Sequence, residues 1–327
     1  MDKKRKIAFQ RMVDSDIGKP FYLPFLMIRK IDKRKFPKKI NKVAIFRLSS
    51  IGDSILLLPA IKNLKEKTGA RVTVICANEN FPVFQGQDFI DKIIILDNKI
   101  LNPFKALHAV IKVRRENPDL VIDTTHSSNL SAFFSYFTGA YCIGFSNPVT
   151  KIKNKMYDNF VELDTKKHAV FNYLDLFQIA KIGYEKEKIK LVKPLYTKRN
   201  ELKIAEIIKS NKKIIGIHAI SSPLFKKWSP ENFTKLIKFI SAKNHIPVFI
   251  GSEAEGKFVE EIISHLNEKE RKKVMNLCGK TNISELFALM NRFKGFIGLD
   301  GGPMHMAASM DIPVLGIFTK APDDPVA

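Results

Sequence analysis

Cysteine is scarce in this chain: three in 327 residues, at Cys76, Cys142 and Cys278. They are odd in number and far apart, and no CxxC or Cys/His spacing accompanies them. That excludes a disulfide framework, offers no zinc site and fits a reducing compartment. Long apolar runs are missing as well; none approaches the ~18 residues of a membrane span. The basic start MDKKRKIAFQ lacks the apolar core and cleavage site of a signal peptide. Two phosphate-binding signatures are absent, GxGxxG and GxxxxGK[ST]. Acid is short relative to base: 33 Asp+Glu stand against 55 Lys+Arg, a net charge of +22. Such a chain is drawn to anionic partners: nucleic acid, an acidic membrane face or phosphorylated substrates. The clustered arginines and aromatic platforms of single-strand binders are lacking, and the lysine is spread, so nucleic acid is not expected.

What is present is an alternation. Residues 1–40 stand apart as a basic segment, with FYLPFLMIRKI (21–31) apolar and RKIDKRKFPKK behind it basic. Apolar groups beside lysines suit an interfacial segment on anionic lipid, or an extension packed on the protein body. From residue 42 short apolar, β-rich runs recur: KVAIFRL (42–48), RVTVICA (71–77), KIIIL (92–96), LVIDT (120–124) and YCIGF (141–145). Helical patterns over 54–67, 103–116 and 128–138 separate them. A linking region with a helix over 168–183 ends in the polar stretch KPLYTKRN. The alternation restarts at KIIGIHA (213–219), with later strands at PVFIG (247–251), 274–277, GFIGL (295–299) and PVLGIF (313–318). Buried strands alternating with helices predict an α/β fold of two doubly wound, parallel-sheet halves facing a cleft. The expected domains are 41–200 and 201–327. Ligands of such sheets lie beyond the carboxyl ends of the strands.

Four stretches at those ends carry chemistry. SSIGD (49–53) puts Asp53 between a strand and a helix, where it serves as helix cap or as a reactive carboxylate; Ser49, Ser50 and Ser54 compete for the cap. LDGGPMHMAAS (299–309) follows a strand and opens a helix. Gly301 and Gly302 let backbone approach a ligand there, the helix start offers N–H groups to an anion, and His305 lies in the first turn. HAISSPLFKKWSPENF (218–233) sets Lys226 and Lys227 before Trp228, a natural counter-charge for a diphosphate. Ser229 and Pro230 are placed to start the next helix, and Trp228 to pack the loop onto it. Glu253 and Glu255 in FIGSEAEGKF open another helix, as ribose ligands or plain helix-start acids.

RLSSIGD, KKWSPENF, GSEAE and DGGPMHMAA, in this order over residues 42–320, resemble the bacterial heptosyltransferases of glycosyltransferase family 9. These are inverting enzymes that extend the lipopolysaccharide core. The resemblance implies a GT-B fold, with an N-terminal acceptor domain and a C-terminal nucleotide-sugar domain. It implies that Asp53 is the general base and that Lys226 contacts the donor phosphates. Glu255 is then near the donor ribose, and Asp300, Gly301, Gly302 and His305 bind the diphosphate. Arg47, Ser49 and Ser50 fall near the acceptor. The implied donor is ADP-heptose, a substrate rather than a cofactor, and no metal is implied. The implied acceptor is a lipid-linked saccharide, which would draw the basic protein to the inner face of the inner membrane from the cytoplasm. Two departures stand out: Gly301 replaces the family's usual Ser or Thr, and the chain stops soon after its last expected strand. Another nucleotide-sugar or acceptor, or a non-catalytic binding relative, are the alternatives these leave open.

Overall fold

The computed structural model describes residues 34–96, 103–126, 129–146, 151–220 and 228–318. The apolar part of the N-terminal segment (21–31) and Lys226 and Lys227 lie outside them. The chain divides into two compact units. One holds residues 1–49 and 57–190; the other holds Ser50–Leu56 together with Leu191–Ala327.

The first unit is built on β1 (Lys42–Arg47), β2 (Arg71–Ala77), β3 (Lys92–Leu96), β4 (Leu120–Asp123), β5 (Tyr141–Phe145) and β6 (Asn159–Val161). All pair in parallel in the order β3-β2-β1-β4-β5-β6. Parallel neighbours need crossovers, and helices supply them: α1 (Ile51–Thr68), whose opening residues up to Leu56 group with the second unit, α2 (Phe81–Phe84), α3 (Pro103–Arg114), α4 (Asn129–Phe137) and α5 (Lys151–Lys155). α6 (Ala169–Gln178) follows the sheet. The strands are continuous apolar runs because helices cover both faces; every residue of β4 is buried. One core cluster joins Ala44, Phe46, Ile75 and Val121 of the sheet to Ala109 and Val113 of α3 and Phe134 of α4. β6 has no counterpart among the expected strands. Two of its three residues are exposed, so it carries no apolar run to read.

Residues 34–36 are docked on this unit. Arg34 donates to the carbonyls of Tyr136 and Ala140 at the end of α4, at 2.9 and 2.6 Å. A cation there meets the negative end of the helix dipole. Phe36 meets Tyr141 edge-on at 5.2 Å.

The second unit contains α7 (Lys198–Ile207), β7 (Ile214–His218), α8 (Pro230–Ala242), β8 (Ile246–Phe249), α9 (Glu253–Ser264) and α10 (Glu268–Arg271). It continues with β9 (Met275–Asn276), α11 (Ile283–Met290), β10 (Phe293–Leu299), α12 (Gly302–Ser309) and β11 (Val314–Ile317). Its parallel sheet runs β11-β10-β7-β8-β9. Ser229 caps α8, its hydroxyl accepting from Asn232 N at 3.3 Å, with Pro230 at the first helical position. Trp228 packs against Phe233 of that helix, ring centroids 4.9 Å apart. Both features match their sequence signals. α7 does not: it starts in the last residues of the polar stretch KPLYTKRN and runs on where no element was expected, on a Thr197/Asn200 capping box and with Ile204 buried.

Candidate active site

In each sheet the strand order reverses beside the first strand, between β1 and β4 and between β7 and β10. The carboxyl ends of those strands flank the crevice where open α/β sheets take ligands. Three of the four expected sequence stretches leave one of these strands.

In the second unit β10 pairs with β7 so that Gly298 stands opposite His218. Beyond Leu299 the chain runs through Asp300 and Gly301 into α12. Gly301 is the N-cap, with φ 171 and ψ 175, an extended conformation that any residue adopts. Its missing side chain therefore serves space rather than backbone strain. Pro303 occupies the first turn without sacrificing a needed donor. The first N–H groups of a helix lack intrahelical acceptors and carry the positive end of its dipole, so this turn suits an anion. Asp300, Gly301, Gly302 and His305 thus gather at one helix start. Among the described residues no three His, Cys, Asp or Glu side chains group as metal ligands would.

Glu255 has a local task. It is the third residue of α9, and its Oε2 accepts from Ser252 N at 2.5 Å in a capping box. The same oxygen stands 3.9 Å from His218 Nε2. His218 was not singled out from sequence; its signal is a histidine closing an apolar strand just before a polar loop. Burial pushes its imidazole below the ordinary 6.5, and Glu255 pushes weakly the other way. The ring is therefore neutral at pH 7.

The loop from β1 is held from beneath. Arg47 is buried, 1% exposed. Its guanidinium donates to the carbonyls of Ser49 at 2.9 Å and Thr124 at 2.8 Å and lies over the Tyr173 ring. Arg47, expected near the acceptor, supports the backbone of this loop: in a buried site the cation is satisfied by carbonyls. Ser49 and Ser50 are exposed. Ser50 has φ 64, an uncommon left-handed conformation for a non-glycine residue. Its hydroxyl accepts from Asp53 N at 3.4 Å, so Ser50 takes the cap and Asp53 stands half-buried at the third helical position. Gly52 and the phosphate-type turn meet within the second unit. A Cβ on Gly52 would lie 2.9 Å from His305 Cδ2 and 3.3 Å from Gly302 Cα. Any larger residue at 52 would displace that turn.

Beside the end of β1, within the first unit, lies a polar cluster that sequence reading missed. Asp123, at the end of β4, accepts from Tyr157 OH at 2.6 Å, Ser131 Oγ at 2.7 Å and Thr125 N at 2.9 Å. Lys153 Nζ is 3.8 Å from its Oδ2 and donates to the Thr125 carbonyl. Burial first, and Asp123 next, push the Tyr157 hydroxyl far up, so it stays protonated.

Comparison with known proteins places this arrangement in a family. Lipooligosaccharide heptosyltransferase 2 of Campylobacter jejuni is 25% identical over 281 residues, covering 85% of this chain and 80% of the relative. The structure of Escherichia coli ADP-heptose lipopolysaccharide heptosyltransferase II superposes with a TM-score of 0.73 at 18% identity, covering 87% of both chains. Escherichia coli heptosyltransferase WaaC with ADP-2-deoxy-2-fluoro heptose gives a TM-score of 0.66 at 16% identity, covering 87% of this chain and 90% of that one. These solved structures share the two-sheet fold. Residues 108–326, more than half of the chain, match glycosyltransferase family 9 (heptosyltransferase), and the chain belongs to that family of glycosyltransferases.

Proposed function

We propose that this glycosyltransferase moves heptose from ADP-heptose to a lipid-linked saccharide of the lipopolysaccharide core, with inversion at the anomeric carbon. The observation that carries the reading is the approach of Gly52 to the 302–305 turn, because it sets the Asp53 loop beside the anion-binding helix start. Asp53 acts as the general base. Its carboxylate takes the proton of the acceptor hydroxyl as that oxygen attacks the anomeric carbon. The bond from that carbon to the diphosphate oxygen breaks, and the electron pair leaves with ADP. The N–H groups opening α12, with His305 and Lys226, meet the charge that grows on the leaving diphosphate. Glu255 sits at the donor side, and the exposed hydroxyls of Ser49 and Ser50 at the acceptor side, on a loop that Arg47 steadies. The reading needs no cofactor, since these groups supply the base and the counter-charge.

Support for the donor comes from the WaaC neighbour, which was solved with an ADP-heptose analogue. Support for the acceptor comes from the lipooligosaccharide and lipopolysaccharide enzymes among the relatives. Gly301 favours keeping a second donor in view, because the space beside it admits a differently placed phosphate or sugar. Thermal shifts with ADP, UDP and GDP separate these: ADP should raise the melting temperature most.

The deciding experiment is Asp53→Asn. It should bind ADP-heptose as the wild type does and lose roughly 10²–10⁴-fold in turnover, the usual worth of a general base. Wild-type turnover in that variant would reduce Asp53 to a residue of the helix start.

A further inference from the structure

His218 is the one histidine of the nucleotide-side sheet that the reading above leaves without a task. It closes β7 at the point where the sheet reverses, directly across from Gly298 of β10. Its side chain is 7% exposed, and Nε2 faces the Glu255 carboxylate at 3.9 Å. Nδ1 is buried with no hydrogen-bond partner among the described residues. Leaving such an atom unpaired costs about 1–3 kcal/mol, so it calls for a reason. Gly301 gives the direction. A Cβ at that position would lie 3.7 Å from His218 Cε1 and 3.9 Å from Nδ1. The niche beside the N-cap of α12 is therefore walled by the unpartnered nitrogen and left open by the glycine. A ligand anion seated on the α12 N–H groups would rest against Nδ1.

We propose that His218 is a further binding residue for the donor's diphosphate and that its ring takes up a proton as the diphosphate seats. A chain of alternating charge then runs from the Glu255 carboxylate through the imidazolium to the phosphate. The proposal rests on the reading of the α12 turn as the diphosphate site. Without ligand the ring is neutral, because burial outweighs the single carboxylate. A phosphate at the other nitrogen adds a second negative partner, which favours the charged ring. Among the described residues the titratable groups near it are Glu255 on α9, Cys278 beside Glu255 after β9, and Asp300 and His305 of the β10–α12 turn, whose Gly301 it meets. Burial first, then Glu255, push the Cys278 thiol up to about 12, so it stays neutral. Glu255 is fixed in place by Ser252 N. The imidazole value is higher with ligand than without, so affinity rises as pH falls through the liganded value and levels off below the free one.

Calorimetric titration of ADP-heptose, whose diphosphate diester does not itself titrate near neutrality, in two buffers of unlike ionisation enthalpy at about pH 7 reads the proton directly. Wild type should take up a fraction of a proton. His218→Asn should take up none and bind roughly tenfold more weakly. Glu255→Gln, which keeps the capping box, should take up less than wild type; it decides the matter if His218→Asn does not fold. Absence of uptake in wild type, equal uptake in His218→Asn (which would assign the proton to His305) or full uptake in Glu255→Gln overturns the proposal. Failure of wild type to bind ADP-heptose at all sinks the donor reading and this proposal together. Binding without the proton sinks this one alone.

Discussion

Lys153 and Asp123 have side chains with no exposure to solvent. Two charges in that position are tolerable only because each has further partners, the Thr125 carbonyl for one and Tyr157, Ser131 and Thr125 N for the other. Lys153→Met leaves the carboxylate buried without its counter-charge. It should cost about 3–5 kcal/mol in urea unfolding, and adding Asp123→Asn should recover part of that loss. If the single variant is as stable as wild type, the pair is not what holds the end of β4. Arg47 teaches a related lesson. The family resemblance puts it near the acceptor, and the structure adds that its guanidinium reaches two carbonyls. Burial of that kind depends on which strands lie alongside, and nothing in KVAIFRL reveals it. His218 was illegible for the same reason: its meaning comes from Gly301 and Glu255, both distant in the chain.

Among the elements, α7 and α11 show how charge and cap cooperate. Glu285 is the third residue of α11, bonded to Asn282 N at 3.0 Å in a capping box, and Lys203 of α7 donates to its other oxygen at 2.7 Å. Burial alone would raise the Glu285 carboxyl, but Lys203 and the Asn282 N–H outweigh it and hold it below its ordinary 4.5. A depressed carboxylate lends stability that is fully present above 4.5 and is lost as pH falls through the lower folded value. Glu285→Gln preserves the cap and removes the charge. It should lower stability by about 1 kcal/mol at neutral pH, Lys203 being half in water, and the gap should close in acid. Thermal melts of both proteins across pH 3–7 check it; a gap that persists in acid would mean that packing, not charge, is at stake. Elements with a strong local signal were readable: RVTVICA, KIIIL and YCIGF form strands over the residues expected. Those whose stability is mostly tertiary, such as α7 and β6, were not.

At the level of the whole chain, a net charge of +22 is too large to ignore. No described helix is long and apolar enough to cross a membrane. Electrostatic attachment to anionic lipid is the reading that fits the proposed acceptor. Co-sedimentation with phosphatidylglycerol vesicles should be strong at about 0.1 M salt and largely lost at about 0.5 M, as screening shortens the reach of the charges. Removing residues 1–33, and not 1–40, is the proper truncation, since Arg34 and Phe36 are docked on the first unit. Unchanged sedimentation after that removal would place the lipid contact elsewhere. The two-sheet architecture itself was legible from alternation alone, because buried parallel strands must be apolar throughout.

That every described strand joins its neighbour in parallel has a consequence for how the protein is made. No ladder can nucleate as a hairpin, so each must wait for a helix-length loop to close, and assembly is slow. During that wait the bare segments of β1, β2 and β3 are sticky to their like, and dilute, cool refolding is the regime in which recovery from denaturant should be highest.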